Sequence, residues 1–189
     1  MRLLDNICGT KVVLRNLELS DAANCCEALT NPETTRYMAV HGVEMTLEIE
    51  LEWIAKTHVS ETDLVMAICI AEQGGTLRHV GNVGIHRIDR TNGHAELGIF
   101  LSDRADRGQG IGTDAMRTAI AHAFAPQEVG GLGLLRVWAR VYEPNIASRR
   151  MAERAGMVQE GVLRAHHTHS IEGPLNEYRF GALASEWRR

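Results

Sequence analysis

Apolar and polar positions alternate at two different periods along this chain, and the places where the period changes divide it into elements. Residues 11–17 carry the β-formers Val12, Val13 and Leu14 and predict a first strand. The helix-start pair Ser20-Asp21 follows, with Ala22, Cys25, Cys26 and Leu29 on one face, and Asn31-Pro32 closes that helix. Thr46 caps a second helix whose stripe is Leu47, Leu51 and Ile54 and whose first turn holds Glu48 and Glu50. Residues 63–71 are apolar nearly without a break, as in a strand buried on both faces. Gly74-Gly75 turns the chain into a returning strand over residues 80–88, and Asn92-Gly93 turns it again.

The next junction carries the chemistry. Ala95, Leu97, Ile99 and Leu101 alternate as a half-buried strand, and a polar step over residues 102–106 leads into Arg107-Gly108-Gln109-Gly110-Ile111-Gly112-Thr113. Met116, Ala119, Ile120, Ala123 and Phe124 then recur at helical spacing. A strand therefore feeds a glycine-rich turn that opens a helix. Small residues let backbone N–H groups close on an anion, and the helix N-terminus adds roughly half a positive charge aimed at it. On these residues alone a nucleotide, a dinucleotide and a cofactor pyrophosphate fit equally well.

Beyond that helix, residues 130–133 form a glycine-rich loop. Leu135, Val137, Ala139 and Val141 then alternate with Arg136, Trp138, Arg140 and Tyr142 as a further strand. Pro144 ends it, and Asn145 begins a short helix with Ala147, Met151 and Ala155 on one side and Gly156 as its stop. Residues 157–165 and 176–182 read as two last strands around the turn at Gly173-Pro174. The order β-α-α-β-β-β-α-β-α-β-β predicts an α/β (α+β) protein, a mixed sheet with helices on both faces.

Composition narrows the setting. A chain of 189 residues fits one domain over residues 1–189, large enough to bury roughly 70% of its unfolded surface. Cys8, Cys25, Cys26 and Cys69 show no C-x-x-C spacing and read as reduced thiols. No apolar leader or run of about 18 apolar residues is present, which predicts a cytoplasmic protein without a membrane partner. A net charge of −4 argues against a nucleic-acid partner and suits a cationic or amine substrate.

Residues 107–112 resemble the Q/R-x-x-G-x-G/A signature of the GNAT superfamily of acyl-CoA-dependent N-acyltransferases. The strand over residues 95–101 is similar to the fourth strand of those enzymes. Asn145-Ile146-Ala147-Ser148, then Glu153-Arg154-Ala155-Gly156-Met157 and Glu160-Gly161, resemble the second half of the RimJ/RimL-type branch, and residues 183–187 resemble its ending. The resemblance implies a mostly antiparallel sheet of six to seven strands with a splay between strands four and five, where acetyl-CoA lies as co-substrate. It further implies that Leu97, Ile99, Phe100 and Leu101 hold pantetheine and polarise the thioester. Arg107, Gly108, Gln109, Gly110, Ile111, Gly112 and Thr113 would take the pyrophosphate through their backbone N–H groups. No metal is implied, and a homodimer is admitted because the family often forms dimers.

By the same resemblance Asn145 binds the pantetheine arm or orders the site, and Ser148 protonates the departing thiolate. Each has a plainer reading: Asn145 as a helix cap, Ser148 as a surface residue, and Tyr142, the rival acid, as packing. Glu96 and His167 are the two candidate bases, the first a strand-four carboxylate and the second a side chain that titrates near neutrality. His166, His167 and His169 are close in sequence, but no cysteine or paired carboxylate completes a tetrahedral metal set. The expected reaction is acetyl transfer to a primary amine: a protein N-terminus, possessed by a ribosomal protein for example, or a small molecule such as a polyamine, amino acid or amino sugar. A non-catalytic acyl-CoA sensor is the alternative from another class. The loop over residues 168–173 and the segment Arg36-Tyr37-Met38 are expected to line the acceptor pocket.

Overall fold

The structure, a computed structural model, describes residues 5–188. Its strands are β1 (Ile7–Cys8), β2 (Val13–Asn16), β3 (Leu64–Ala71), β4 (Leu77–Asp89), β5 (His94–Leu101), β6 (Arg136–Tyr142), β7 (Val158–His169) and β8 (Gly173–Leu183). The helices are α1 (Ala22–Thr30), α2 (Pro32–Thr35), α3 (Leu47–Val59), α4 (Ile111–Phe124) and α5 (Ile146–Arg154). All eight strands form one sheet in the order β1-β2-β3-β4-β5-β6-β8-β7, antiparallel except for β5 against β6. The expected six to seven strands become eight because Ile7–Cys8 pairs with Val13 and Leu14, a two-residue strand too short to carry a readable period.

The two sheet faces bury different helices. Leu64, Met66, Ile68, Val83, Ile85 and Leu97 point toward α4, whose Ala115, Ala119 and Ala123 are fully buried and let the helix lie close to the strands. The other face carries Val65, Ala67 and Cys69, covered by Ala22 and Cys25 of α1 and Ile54 of α3. Thr46 caps α3 as expected, its hydroxyl accepting from the Ile49 amide at 3.3 Å. The stripe of α3 is rotated from the expected one, because Leu47 is exposed while Glu50, Ile54 and Thr57 face inward. Burial pushes the Glu50 carboxyl up, partly offset by a hydrogen bond from Cys25.

The last hairpin is longer than its apolar pattern suggested. β7 is an edge strand with most of its side chains exposed, so little alternation marks its extent, and its turn falls at residues 170–172 rather than at Gly173-Pro174. Bulges interrupt its register after Gln159 and after Leu163, and Ala165 takes a φ of 48° while its amide donates to Asn176 Oδ1 at 2.9 Å. The terminal Trp187 donates its indole N–H to the Ala155 carbonyl at 2.9 Å and meets Phe124 edge to face, tying the chain end to α5 and α4.

Candidate active site

β5 and β6 run in parallel for three residue pairs only, His94 with Arg136, Ala95 with Val137 and Glu96 with Trp138. Beyond them β5 stays paired with β4 as far as Leu101, and β6 with β8 as far as Tyr142, so the two halves of the sheet part. Those backbone groups of residues 97–101 that point away from β4 have no partner strand, and such groups need a ligand or water. A cleft of about 990 Å³ fills the gap.

The glycine turn closes one end of this cleft. Gly108 and Gly110 sit at φ 76° and 84°, the left-handed conformation that glycine adopts without strain. Gly110 is the N-cap of α4, and its carbonyl accepts from Asp114 N–H at 3.0 Å. The amides of residues 108–113 have no acceptor among the described residues and converge at the start of a 14-residue helix. Arg107 differs: its N–H donates to the Arg104 carbonyl, and its guanidinium donates to Thr34 Oγ1 and the Leu101 carbonyl, bracing α2 against the end of β5. Gly108, Gly110, Gly112 and Thr113 line the cleft. Ile111 instead turns into the core at 4% exposure, and Gln109 bonds its amide to the Ala105 carbonyl. Gly112 lets α5 approach, since a Cβ there would come within 2.9 Å of Met151 Sδ.

Asn145 caps α5, its Oδ1 accepting from the Ser148 amide at 3.1 Å, and both residues line the cleft. Tyr142 also lines it. Burial is the largest influence on its phenol and raises it, with Glu177 and Glu96 adding to the rise and Arg140 opposing, so the proton stays on at neutral pH. His167 lies outside the lining, stacked on the Tyr142 ring with centroids 4.3 Å apart. Glu96 stands where the sheet parts, with one carboxylate oxygen 2.8 Å from Arg140 Nε and the other 3.2 Å from Arg87 Nη1.

One rim of the cleft is built in two layers. Arg36, Tyr37 and Met38 line the cleft as expected, whereas the β7–β8 turn braces them from behind. Glu172 accepts from Arg36 and from the Tyr37 hydroxyl, and His169 donates its Nε2–H to the Arg36 carbonyl while its Nδ1 accepts from the Ile171 and Glu172 amides. Asp63 and His86 also line the cleft, and no local motif announces them. They lie 23 residues apart and meet because Leu64 pairs with Ile85, with His86 Nδ1 3.0 Å from Asp63 Oδ1. Burial works against the Asp63 charge, but hydrogen bonds from His86, Ser60 and Thr62 hold its carboxyl below the usual aspartate range. Among the described residues, no three His, Cys, Asp or Glu side chains gather as a metal ion would require.

A family model described as an acetyltransferase (GNAT) domain matches residues 11–158. The chain belongs to the GNAT acetyltransferase family. This acetyltransferase is 27% identical over 198 residues to the uncharacterized N-acetyltransferase p20 of Bacillus licheniformis, covering 97% of this chain and 99% of that one. Its fold is shared by the spermidine N-acetyltransferase of Vibrio cholerae, solved with CoA and spermine, at a TM-score of 0.80 and 19% identity over 94% of this chain and 98% of the other. It is also shared by RimL, a ribosomal L7/L12 α-N-protein acetyltransferase solved with CoA, at a TM-score of 0.79 and 15% identity over 95% and 98%. The acetyltransferase is thus an acetyl-CoA-dependent enzyme of mixed α/β fold. None of its described helices is long and apolar enough to cross a membrane.

Proposed function

We propose that the enzyme acetylates the free α-amine of a peptide or protein N-terminus by direct attack within a ternary complex. The observation that carries this reading is the charge balance of the cleft. Its lining holds six arginines against three carboxylates, Glu33, Asp63 and Glu96. Each carboxylate already has a partner: Arg104 for Glu33, His86 for Asp63, Arg87 and Arg140 for Glu96. A polyamine would find no unpaired anion to receive its second and third charges. A single amine on a neutral peptide backbone needs none.

The unpaired cations sit at the other end. Arg107, Arg150 and Arg154 line the cleft beside the glycine turn without a carboxylate partner among the described residues. With the open amides of residues 108–113 they suit a pyrophosphate and a further phosphate. Pantetheine would then run between β5 and β6, where the free amides over residues 97–101 polarise the thioester carbonyl. Donors aimed at the charge that gathers on that oxygen are worth ~3–4 kcal/mol. Ser148, on the α5 side, gives its hydroxyl proton to the departing sulfur. Tyr142, protonated and locked by the His167 stack, is the second donor within the same lining. Asn145 orders α5 so that Ser148 faces the cleft.

The test is a comparison of kcat/KM for a peptide with a free N-terminus against spermidine, with CoA release as the readout. The reading predicts that the peptide is preferred by at least about tenfold. A preference for spermidine would replace it with a polyamine acceptor.

A further inference from the structure

The acceptor side of the cleft contains a built acid–base pair that none of the assignments above uses. His86 and Glu96 are directly opposed across β4 and β5, as are Gly84 and Gly98 two residues further along. The paired glycines make a floor without side chains, and the imidazole lies across it. A Cβ on Gly84 would fall on the ring at Nε2, and one on Gly98 would lie 3.7 Å from the same nitrogen. Gly98 belongs to the part of β5 that has left β6, so Nε2 lies over the stretch whose open amides the proposed function assigns to the thioester. The other ring nitrogen is committed to Asp63 Oδ1 at 3.0 Å, and Asp63 is itself fixed by the hydroxyls of Ser60 and Thr62, each at 3.0 Å. An ionised Asp63 accepts, so Nδ1 carries the proton and Nε2 presents a lone pair to the cleft.

From this geometry we infer that His86 is the general base for the amine and Asp63 its positioning residue, an assignment that rests on the acetyl-transfer reading above. The charged groups facing the imidazole are Asp63 from the loop before β3, Glu96 from β5, Arg87 beside it on β4 and Arg140 from β6. Glu96 is the poorer acceptor because both of its oxygens are held by guanidinium groups. In the step, the amine nitrogen bonds to the acetyl carbon and one of its protons passes to His86 Nε2. The carbon–sulfur bond breaks, its electron pair leaves on sulfur, and sulfur takes the Ser148 proton. Asp63 balances the imidazolium charge until His86 releases that proton to solvent, and the Ser148 alkoxide takes one back from solvent, so both groups are restored and no net proton is consumed.

The test measures release of the CoA thiol with a free-N-terminus peptide and, separately, with water as nucleophile, alongside calorimetric binding of acetyl-CoA. His86→Gln should lower kcat about 10²-fold on either nucleophile and remove the acidic limb of the pH–rate profile, leaving acetyl-CoA affinity within about twofold. Gly84→Ala keeps the imidazole but takes its seat, and should lose turnover in the same direction. Asp63→Asn keeps a hydrogen-bonding partner at the ring but not an obligate acceptor for Nδ1–H, and should lower kcat about tenfold while KM for the peptide and acetyl-CoA affinity stay within about twofold. A wild-type limb and kcat in His86→Gln overturn the base. Acetyl-CoA binding without thiol release from the wild type overturns the transfer reading instead, and the base with it.

Discussion

Replacing Gly110 separates backbone conformation from every other property of the glycine turn. Space does not forbid a side chain there, since a Cβ would meet only Lys11 Nζ, at 3.4 Å, the end of a flexible chain. The constraint is φ, at 84°. An L-residue in that conformation costs about 1–2 kcal/mol, and a β-branched one lies at the upper end. Gly110→Val can relieve the strain only by rotating the peptide, which turns the Gly110 and Ile111 amides away from the anion. A charge-assisted hydrogen bond is worth about 1.5–3 kcal/mol. Losing one such bond together with part of the strain comes to about 3 kcal/mol, or roughly 10²-fold in the Kd for acetyl-CoA. Asparagine enters the left-handed region far more readily, so Gly110→Asn should bind within about fivefold of wild type. Titration calorimetry with acetyl-CoA measures both, and thermal melting checks that α4 is intact. Equal affinities for the valine and asparagine variants would refute the role of this backbone turn.

Two further predictions concern single polar side chains. Ser148→Ala should cut kcat about 10²-fold with acetyl-CoA affinity nearly unchanged; if Tyr142→Phe gives that split instead, the phenol is the acid. Asp21, 6% exposed, is gripped by Arg15 at 2.7 and 2.8 Å and faces His79 at 3.6 Å. Burial opposes its charge, but the Arg15 guanidinium and the Glu18 amide hold its carboxyl below the usual aspartate range. A depressed folded-state pKa stabilises above the unfolded value and is lost as pH falls through the folded one, so this contribution is complete at neutrality and fades below about pH 4. Asp21→Asn should therefore cost about 3 kcal/mol at pH 7, some 10 °C in Tm, and much less near pH 2. A Tm difference that does not change with pH would refute the ion-pair account.

What the sequence made legible was local. The alternation over residues 95–101, the glycine-rich turn that opens α4 and the Asn145 cap are each written within a few neighbouring residues, and each lies where its pattern placed it. Features set by distant pairing were harder to read. Asp63 and His86 become neighbours only through the β3–β4 register, and nothing adjacent to either announces the other. An explicit pairing of residues 63–71 with the strand returning from Gly74-Gly75 was the signal available. His167 is conspicuous as a titratable side chain, yet the bulge after Leu163 decides that its ring stacks on Tyr142 instead of lining the cleft. Glu50 reads as a favourable first-turn charge on α3, but the helix turns it inward beside Cys25. The apolar stripe is displaced accordingly.

Acetyl-CoA is expected to lie where β5 leaves β6, with its pyrophosphate on the amides at the head of α4. Amide hydrogen exchange with and without acetyl-CoA reads those groups directly. The N–H groups of residues 97–101 that point away from β4, and those of residues 108–113, are left open by the fold, so they should exchange slowly only when the ligand is bound. Protection confined to other parts of the sheet, with these two stretches exchanging as in the free protein, would contradict this placement.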